Sequence, residues 1–471
     1  MLQFSHKSIT DILFWVTRRK WLIMSFALCF LFFYLPSPEG LSSQGHRTLI
    51  IVIIALILII SETIPLPAVA ILILIMQVIL GLDTADGVAS SFMSDAVFFI
   101  MGSLMMAVAI VYQGLDKRLA LLIVNITGNK TSKIVIGFVG ISAILSSFIG
   151  EHTVSAMMLP VALAIIRNSG LHINKKSNLS SLLLFSIAYG CAMGSIGTPS
   201  GGGRNAIMIG YLSEFGLANI SYIDWMKYTY PILIIEIPIA ALILWFTFLP
   251  DQKNLDSAIR KIKVEVAKEG KITDNQWISI LIFLFVFFCW VFLSPKLGLG
   301  IIALFGVFLY LSLGLIDWKE ISGSTNWGVI LLFGAAISVG IQMKETGAAL
   351  WVAETAITNL KYVFNDIFLV RWIISVFFTG LLTNLLSNAA TVAVLGPIVL
   401  DMGGNPLIVG IATSVASAFS YLTIVASPTC MIIYSTGIIS SRDYLKAGWK
   451  LFFISNIILI LVSYFYWPLL I

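Results

Sequence analysis

Gly150-Glu151-His152-Thr153-Val154-Ser155-Ala156-Met157-Met158-Leu159-Pro160 and Ser387-Asn388-Ala389-Ala390-Thr391-Val392-Ala393-Val394-Leu395-Gly396-Pro397 are two polar interruptions of very apolar sequence. Each lies between hydrophobic runs too short to be comfortable spans, and each ends in proline ten residues after it starts. A charged or amide side chain inside a bilayer is costly, so its presence at two matching places marks a binding site rather than a packing accident. The surroundings fit that setting. The chain has 471 residues, 59% of them apolar and only 11% charged, with a mean hydropathy of +1.00. A soluble protein of this length carries far more charge, so the composition defines an all-α polytopic membrane protein.

Working outward, apolar runs of roughly 15–22 residues are read as spans near 21–35, 48–62, 66–82, 93–112, 180–212, 229–249, 276–293, 298–316, 326–343, 407–438 and 451–470. The runs 180–212 and 407–438 are interrupted. Two further regions, 134–167 and 370–401, are apolar but broken in the middle and are read as re-entrant hairpins. The expected architecture is thus about eleven transmembrane helices plus two hairpins. The basic run ending in Arg18-Arg19-Lys20 resembles a signal peptide, but no small-x-small site follows and many spans come after, so the first helix is read as retained.

Charge tests this layout. With the N-terminus cytoplasmic, eleven spans place 21 of the 28 basic residues inside and the C-terminus outside. Counting either broken region as a full span scatters that pattern. The stretch 250–275 mixes Lys, Asp and Glu at helical spacing and reads as a solvated cytoplasmic connector. The four cysteines all sit in apolar runs without metal-ligand spacing, as small buried side chains.

The connector divides the chain into comparable halves that repeat weakly but in order. Gly102 corresponds to Gly334, Gly114 to Gly347, Pro65 to Pro295, the hairpin tips to one another, and Gly197-Thr198-Pro199 to Ala426-Ser427-Pro428. The sequence therefore divides into an N-terminal helix (1–47), a first repeat (48–249), the connector (250–275) and a second repeat (276–471). Five spans per copy is an odd number, so the repeats are inverted.

Backbone in hydrocarbon must be hydrogen-bonded unless it lines a cavity or is buried in protein. Pro199 and Pro428 each remove a donor and break a helix in mid-membrane. The freed carbonyls suit a cation and the neighbouring helix N-termini suit an anion. Prolines that merely kink helices are common, but these breaks are paired by the repeat and accompanied by Glu, His, Asn and Ser.

These residues resemble the divalent anion/sodium symporter family of dicarboxylate, citrate and sulfate carriers. The resemblance rests on Ser61-Glu62-Thr63-Ile64-Pro65-Leu66-Pro67, on Met157-Met158-Leu159-Pro160 after the first tip, on Gly114-Leu115-Asp116-Lys117-Arg118 and on Trp327-Gly328-Val329. It implies a homodimer with a scaffold part and a moving, elevator-type transport part. It further implies that each hairpin tip carries Ser-Asn-Thr contacting sodium and substrate carboxylates, completed by a hydroxyl four residues earlier and a carbonyl at the broken helix. The second half matches with Thr383, Ser387, Asn388 and the backbone of Ala426, although Ala389 replaces the tip threonine. In the first half Ser146 and Gly197 are in place, but the tip has become Gly150-Glu151-His152.

The departures carry ionisable chemistry. Glu151 is a hard oxygen ligand for sodium or the carrier of a coupling proton, with His152 beside it. A plain structural Glu151–His152 pair is the bland alternative. Ser200-Gly201-Gly202-Gly203-Arg204 allows close backbone approach, and Arg204 neutralises either an anionic substrate group or Glu151. Glu62 is read as structural at a helix junction, and Glu236 is assigned a scaffold or dimer role.

The sequence reading is a secondary active, sodium-coupled transporter of a small anion, with a di- or tricarboxylate as the default. Substrate contacts are expected from Glu151, His152, Asn388, Ala389, Arg204 and the Thr198-Pro199 and Ser427-Pro428 breaks. Sodium contacts are expected from Ser146, Gly150, Glu151 and Gly197 in the first half and Thr383, Ser387, Asn388 and Ala426 in the second. Alternatives are proton coupling or cation-independent exchange through Glu151 and His152, or another anion such as sulfate. An intramembrane enzyme lacks a nucleophile or metal set, with no His-Glu-x-x-His pattern for zinc, and a channel does not suit paired inverted hairpins. The expected setting is a bacterial inner (plasma) membrane, with no nucleic acid partner.

Overall fold

The computed structural model describes residues 20–61, 63–115, 127–169, 177–256, 259–261, 271–361, 366–424 and 426–470. Glu62, Asp116, Lys117, Arg118, Lys175, Lys176 and the N-terminal Lys7, Arg18 and Arg19 lie outside the described residues. The first half contains α1 (Lys20–Tyr34), α2 (Ser43–Ser61), α3 (Leu66–Ile79), α4 (Ala85–Phe92), α5 (Asp95–Tyr112), α6 (Thr131–Ile149), α7 (Glu151–Asn168), α8 (Asn178–Gly194), α9 (Gly203–Glu214) and α10 (Tyr222–Thr247). The second contains α11 (Asp274–Leu297), α12 (Leu299–Ser312), α13 (Trp318–Ser324), α14 (Trp327–Glu345), α15 (Ala348–Lys361), α16 (Ile367–Trp372), α17 (Asn388–Asp401), α18 (Pro406–Ala416), α19 (Pro428–Tyr434) and α20 (Ser441–Phe465). Helix α16 continues through a π-helical turn, Ile373–Phe378, into Thr379–Leu382. Seven of the described helices are long and apolar enough to cross a membrane, and shorter apolar helices lie between them.

Both expected hairpins are present, as α6–α7 and as α16 through Leu382 followed by α17, and both interrupted spans break where proline places the break. The repeat also shows in details the sequence comparison did not use. Helices α3 and α12 have the same length, and each is followed by Leu-Gly-Leu, with Gly81 and Gly314 both at φ +67°. The amides of Leu82 and Leu315 then donate back to Gln77 and Tyr310, which ends each helix in the same left-handed turn. Gly114 and Gly347 follow α5 and α14 with similarly positive φ, +68° and +74°.

Packing is reciprocal between the halves. Helix α5 packs on α12 while α14 packs on α3; α7 packs on α19 while α17 packs on α9; and α10 packs on α20. Each of the two large apolar clusters consequently draws helices from both halves. One is built on α6, α7, α8, α10, α18 and α20, the other on α2, α3, α5, α12, α14 and α17. The start of the connector is not purely solvated as expected: Leu255 is buried, its amide donates to the Asn129 carbonyl at 2.9 Å, and Thr131 Oγ1 donates to Gln252 O at 2.7 Å. Burying Leu255 ties the connector to the entrance of the first hairpin.

Hydrocarbon offers no hydrophobic drive between helices, so close backbone approach through small residues does the work. Helix α8 meets α6 through Gly190 and Gly194, four residues apart. A Cβ on Gly190 would lie 2.7 Å from the Val139 carbonyl oxygen, and one on Gly194 would overlap the Ala143 carbonyl and the Ser146 hydroxyl. Gly194→Ala is therefore expected to force α6 from α8 and to lower stability by about 1–3 kcal/mol, read as a fall in the thermal unfolding midpoint of the purified protein. An unchanged midpoint would show that this interface is looser than its geometry.

Candidate functional site

The site forms where the four chain interruptions meet. In the first half the chain reverses at Gly150, whose φ of +84° is a conformation that only glycine adopts readily, and α7 starts at once with Glu151. Glu151 is 4% exposed, and its carboxylate sits at a helix N-terminus, where negative charge is favoured. Arg204 occupies the opposite position, a buried cation in the first turn of α9. Burial and the helix dipole both oppose that charge, and Glu151 offsets them: Arg204 Nη1 lies 3.8 Å from Glu151 Oε1. Ser195 lies between the pair: its hydroxyl accepts from Arg204 Nη2, donates to the Ala192 carbonyl at 2.6 Å and lies 3.4 Å from Glu151 Oε2. His152 is half-exposed, with Nδ1 at 4.0 Å from Glu151 Oε1.

The second tip reaches the same carboxylate. Asn388 Nδ2 donates to Glu151 Oε1 at 3.2 Å, across 237 residues of chain. Its other end faces Thr383, whose hydroxyl lies 3.0 Å from Asn388 Oδ1 and 2.7 Å from the Ser417 carbonyl. Ser387 is the N-cap of α17 and accepts from the Ala390 amide.

Each hairpin is clasped to the broken helix of its own half. Ser146 donates to Cys191 O at 3.0 Å and Ser147 to Gly194 O at 2.8 Å. In the second half Thr383 donates to Ser417 O and Asn384 Nδ2 to Phe419 O at 3.0 Å. In the second half these side chains satisfy carbonyls that the break leaves without a backbone donor among the described residues, whereas Cys191 O and Gly194 O also accept from the Ser195 and Gly197 amides at 3.1 and 2.9 Å. Asn384 also accepts from the Leu422 amide at 2.8 Å. Asn205 joins the two breaks, donating to Ser195 O and Thr198 O at 2.8 Å and accepting from Ser414 of α18 at 3.0 Å.

A cavity of about 560 Å³ opens between the tips. Of the residues singled out in the sequence, Gly150, Glu151, His152, Pro199, Arg204, Ser387, Asn388, Ala389 and Pro428 line it. Ser146, Thr198, Thr383, Ala426 and Ser427 are buried away from its wall, as is the Gly197 carbonyl, which accepts from Thr229 Oγ1 at 2.9 Å. Ser195, Asn205 and Asn384 were missed, because a small polar residue in an apolar run gives no hint of which carbonyl it will meet. Glu320, Ser324 and Asn326 form an unanticipated polar part of the wall.

The donor set separates the two halves chemically. Thr383 Oγ1, Asn388 Oδ1 and Ser417 O converge as hard neutral oxygens, which suits a sodium ion. At the first tip the carboxylate already has a guanidinium beside it.

The fold and this site define a membrane transporter, and comparison with known proteins places it. Residues 17–471 match a family model described as the sodium:sulfate symporter transmembrane region. The chain belongs to this family, the divalent anion/sodium symporters, and is a transporter of anions rather than an enzyme. It is 29% identical over 416 residues to the sodium-dependent dicarboxylate transporter SdcS of Staphylococcus aureus (strain USA300), covering 82% of this chain and 79% of that one. It is 28% identical over 411 residues to the protein of the same name in Staphylococcus saprophyticus, covering 81% and 78%. It is 27% identical over 417 residues to an uncharacterized transporter of Haemophilus influenzae, covering 83% and 86%. Among solved structures, the YdaH transporter of Alcanivorax borkumensis, described as having an unusual topology, shares the fold at a TM-score of 0.51 and 11% identity, over 80% of this chain and 85% of that one.

Removing one partner of a buried ion pair leaves the other charge uncompensated. Arg204→Ala is expected to destabilise the protein by about 3–5 kcal/mol, and Glu151→Gln in the same background to restore much of the loss. Thermal unfolding of the single and double variants measures this coupling. Additive losses would mean that the two groups do not hold each other.

Proposed function

We propose that this protein is a sodium-coupled secondary carrier of a small anion, with a di- or tricarboxylate as its substrate class. One observation carries the reading: four helices, α7, α9, α17 and α19, turn their N-terminal residues Glu151, Arg204, Asn388 and Pro428 to one cavity wall. Helix N-termini attract anions, and Arg204 and His152 add donors beside them. The staphylococcal relatives bear the name of dicarboxylate transporters, which supports that class over sulfate.

In this reading sodium binds at the second tip through Thr383, Ser387, Asn388 and the backbone of Ala426. At the first tip, where Ser146, Gly150, Glu151 and Gly197 would form the matching site, the Arg204 guanidinium supplies the positive charge. Coupling is thereby concentrated in the second half. The hairpins and broken helices form the moving part of an elevator-type, alternating-access cycle, and the remaining helices form the scaffold of a homodimer. The repeats run over 48–249 and 276–471, in a bacterial inner membrane with the N-terminus cytoplasmic and the C-terminus outside.

A second reading has its own observation. His152 is 48% exposed towards the cavity while Glu151 is buried behind it, which is a path for a coupling proton.

Uptake of labelled succinate into proteoliposomes, with sodium and proton gradients imposed separately, distinguishes these readings. A sodium gradient alone is expected to drive accumulation, and unlabelled citrate to compete better than sulfate. Thr383→Ala is expected to raise the sodium concentration for half-maximal uptake about tenfold, the loss of one oxygen ligand worth about 1.4 kcal/mol. Uptake indifferent to sodium would sink the leading reading. If proton-driven uptake then disappeared in Glu151→Gln, the second reading would take its place.

A further inference from the structure

Glu236 lies in the middle of α10, between Pro231 and Pro238, and plays no part in the site above. The sequence suggested a scaffold or dimer role, yet the side chain is completely buried, beside members of the apolar cluster built on α6, α8, α10 and α20. It faces no free surface. Neither carboxylate oxygen has a hydrogen-bond partner among the described residues.

Two buried hydroxyls interact with it electrostatically. Ser455 comes from α20 and Tyr421 from the segment between α18 and α19, and neither hydroxyl has a partner of normal hydrogen-bond geometry. Beyond Tyr421 lie Tyr189 of α8 and Arg204 of α9, the latter committed to Glu151 and Ser195. No basic side chain is paired with Glu236 among the described residues. An ionised carboxylate so placed costs several kcal/mol, whereas a carboxylic acid needs only an acceptor, and the Ser455 hydroxyl oxygen is at hand.

The position of Tyr421 gives that proton a route of influence. Its carbonyl accepts from Tyr189 Oη at 3.2 Å and lies against the bare backbone of Gly448 in α20. The next amide, Leu422, donates to Asn384 at the second tip. The residue that interacts with Glu236 and the residue that holds the second hairpin are thus consecutive in the chain.

We propose that Glu236 is a proton-binding site of the transport cycle, linked through Tyr421 to the second hairpin and separate from Glu151 and His152. Its carboxyl O–H is intact in the conformation described here. When α10, α20 and the second break re-pack and admit water, that bond breaks heterolytically and the proton passes to water. This step rests on the carrier reading, but the occupancy of the proton does not.

Infrared spectroscopy of the reconstituted protein, titrated with pH, tests the occupancy without any substrate. Wild type is expected to show a carboxylic acid C=O band that Glu236→Gln lacks, and an identical spectrum in the variant overturns the proposal. In proteoliposomes under a fixed sodium gradient, wild-type uptake is expected to change by up to about tenfold per pH unit on the limb governed by this group. In Glu236→Gln that limb is expected to flatten while sodium dependence stays. A variant limb matching wild type overturns the link to transport. Should Glu236→Gln fail to fold, Ser455→Ala serves: loss of the neighbouring hydroxyl is expected to move the pH at which the infrared band titrates, and no movement overturns the assignment. Absence of uptake for every anion under every gradient would remove the carrier reading and leave the infrared result standing.

Discussion

A helix interrupted inside a membrane exposes carbonyl groups that hydrocarbon cannot satisfy, and the rest of this structure follows from how they are met. Ser146 and Ser147 bond the carbonyls of Cys191 and Gly194, and Thr383 and Asn384 bond those of Ser417 and Phe419. Each hairpin is therefore more than a neighbour of its broken helix: the second completes that helix's hydrogen bonding, and the first adds side-chain donors to carbonyls that the Ser195 and Gly197 amides also bond. The glycines of α8 serve the same end by letting two backbones approach closely enough for serine hydroxyls to reach. Once hairpins and breaks are locked together, the helix N-termini beyond the breaks have to face one another, and the cavity lies between them.

Electrostatics then distinguishes two halves that the backbone keeps alike. The second half brings together neutral oxygens from a hydroxyl, an amide and a main-chain carbonyl. The first half presents a carboxylate and a guanidinium that cancel within the protein. Both arrangements surround the same geometry, so the repeat fixes where chemistry happens and the individual side chains decide which chemistry it is. Asn388 belongs to both, with its amide nitrogen on Glu151 and its oxygen towards Thr383.

Much of this was legible beforehand, for a physical reason. Glu151, Asn388 and the two X-Pro breaks stand out because polar and helix-breaking residues are expensive in apolar sequence, and their pairing at matching positions located both hairpins to within a few residues. The pairing of α3 with α12 was equally readable in Leu80-Gly81-Leu82 and Leu313-Gly314-Leu315, but a short apolar motif carries little weight until its turn geometry is seen. Ser195, Asn205 and Asn384 were not legible, since their partners are carbonyls whose positions depend on the tertiary fold. Glu236 was conspicuous as a residue and opaque as a role, because its surroundings come from α20 and the second break, far away in the chain.

The unequal turns at the two tips distribute mechanical compliance unevenly. A single residue, Gly150, reverses the chain in the first hairpin, so its limbs share no slack and a tilt of one drags the other. The second hairpin spreads its reversal over Thr383 to Ser387 and has a π-helical turn upstream at Ile373–Phe378, a local loosening often found at working sites. Stiffness thus sits beside the ion pair, where a small displacement would strand a charge. Give sits beside the neutral oxygens, which tolerate being moved.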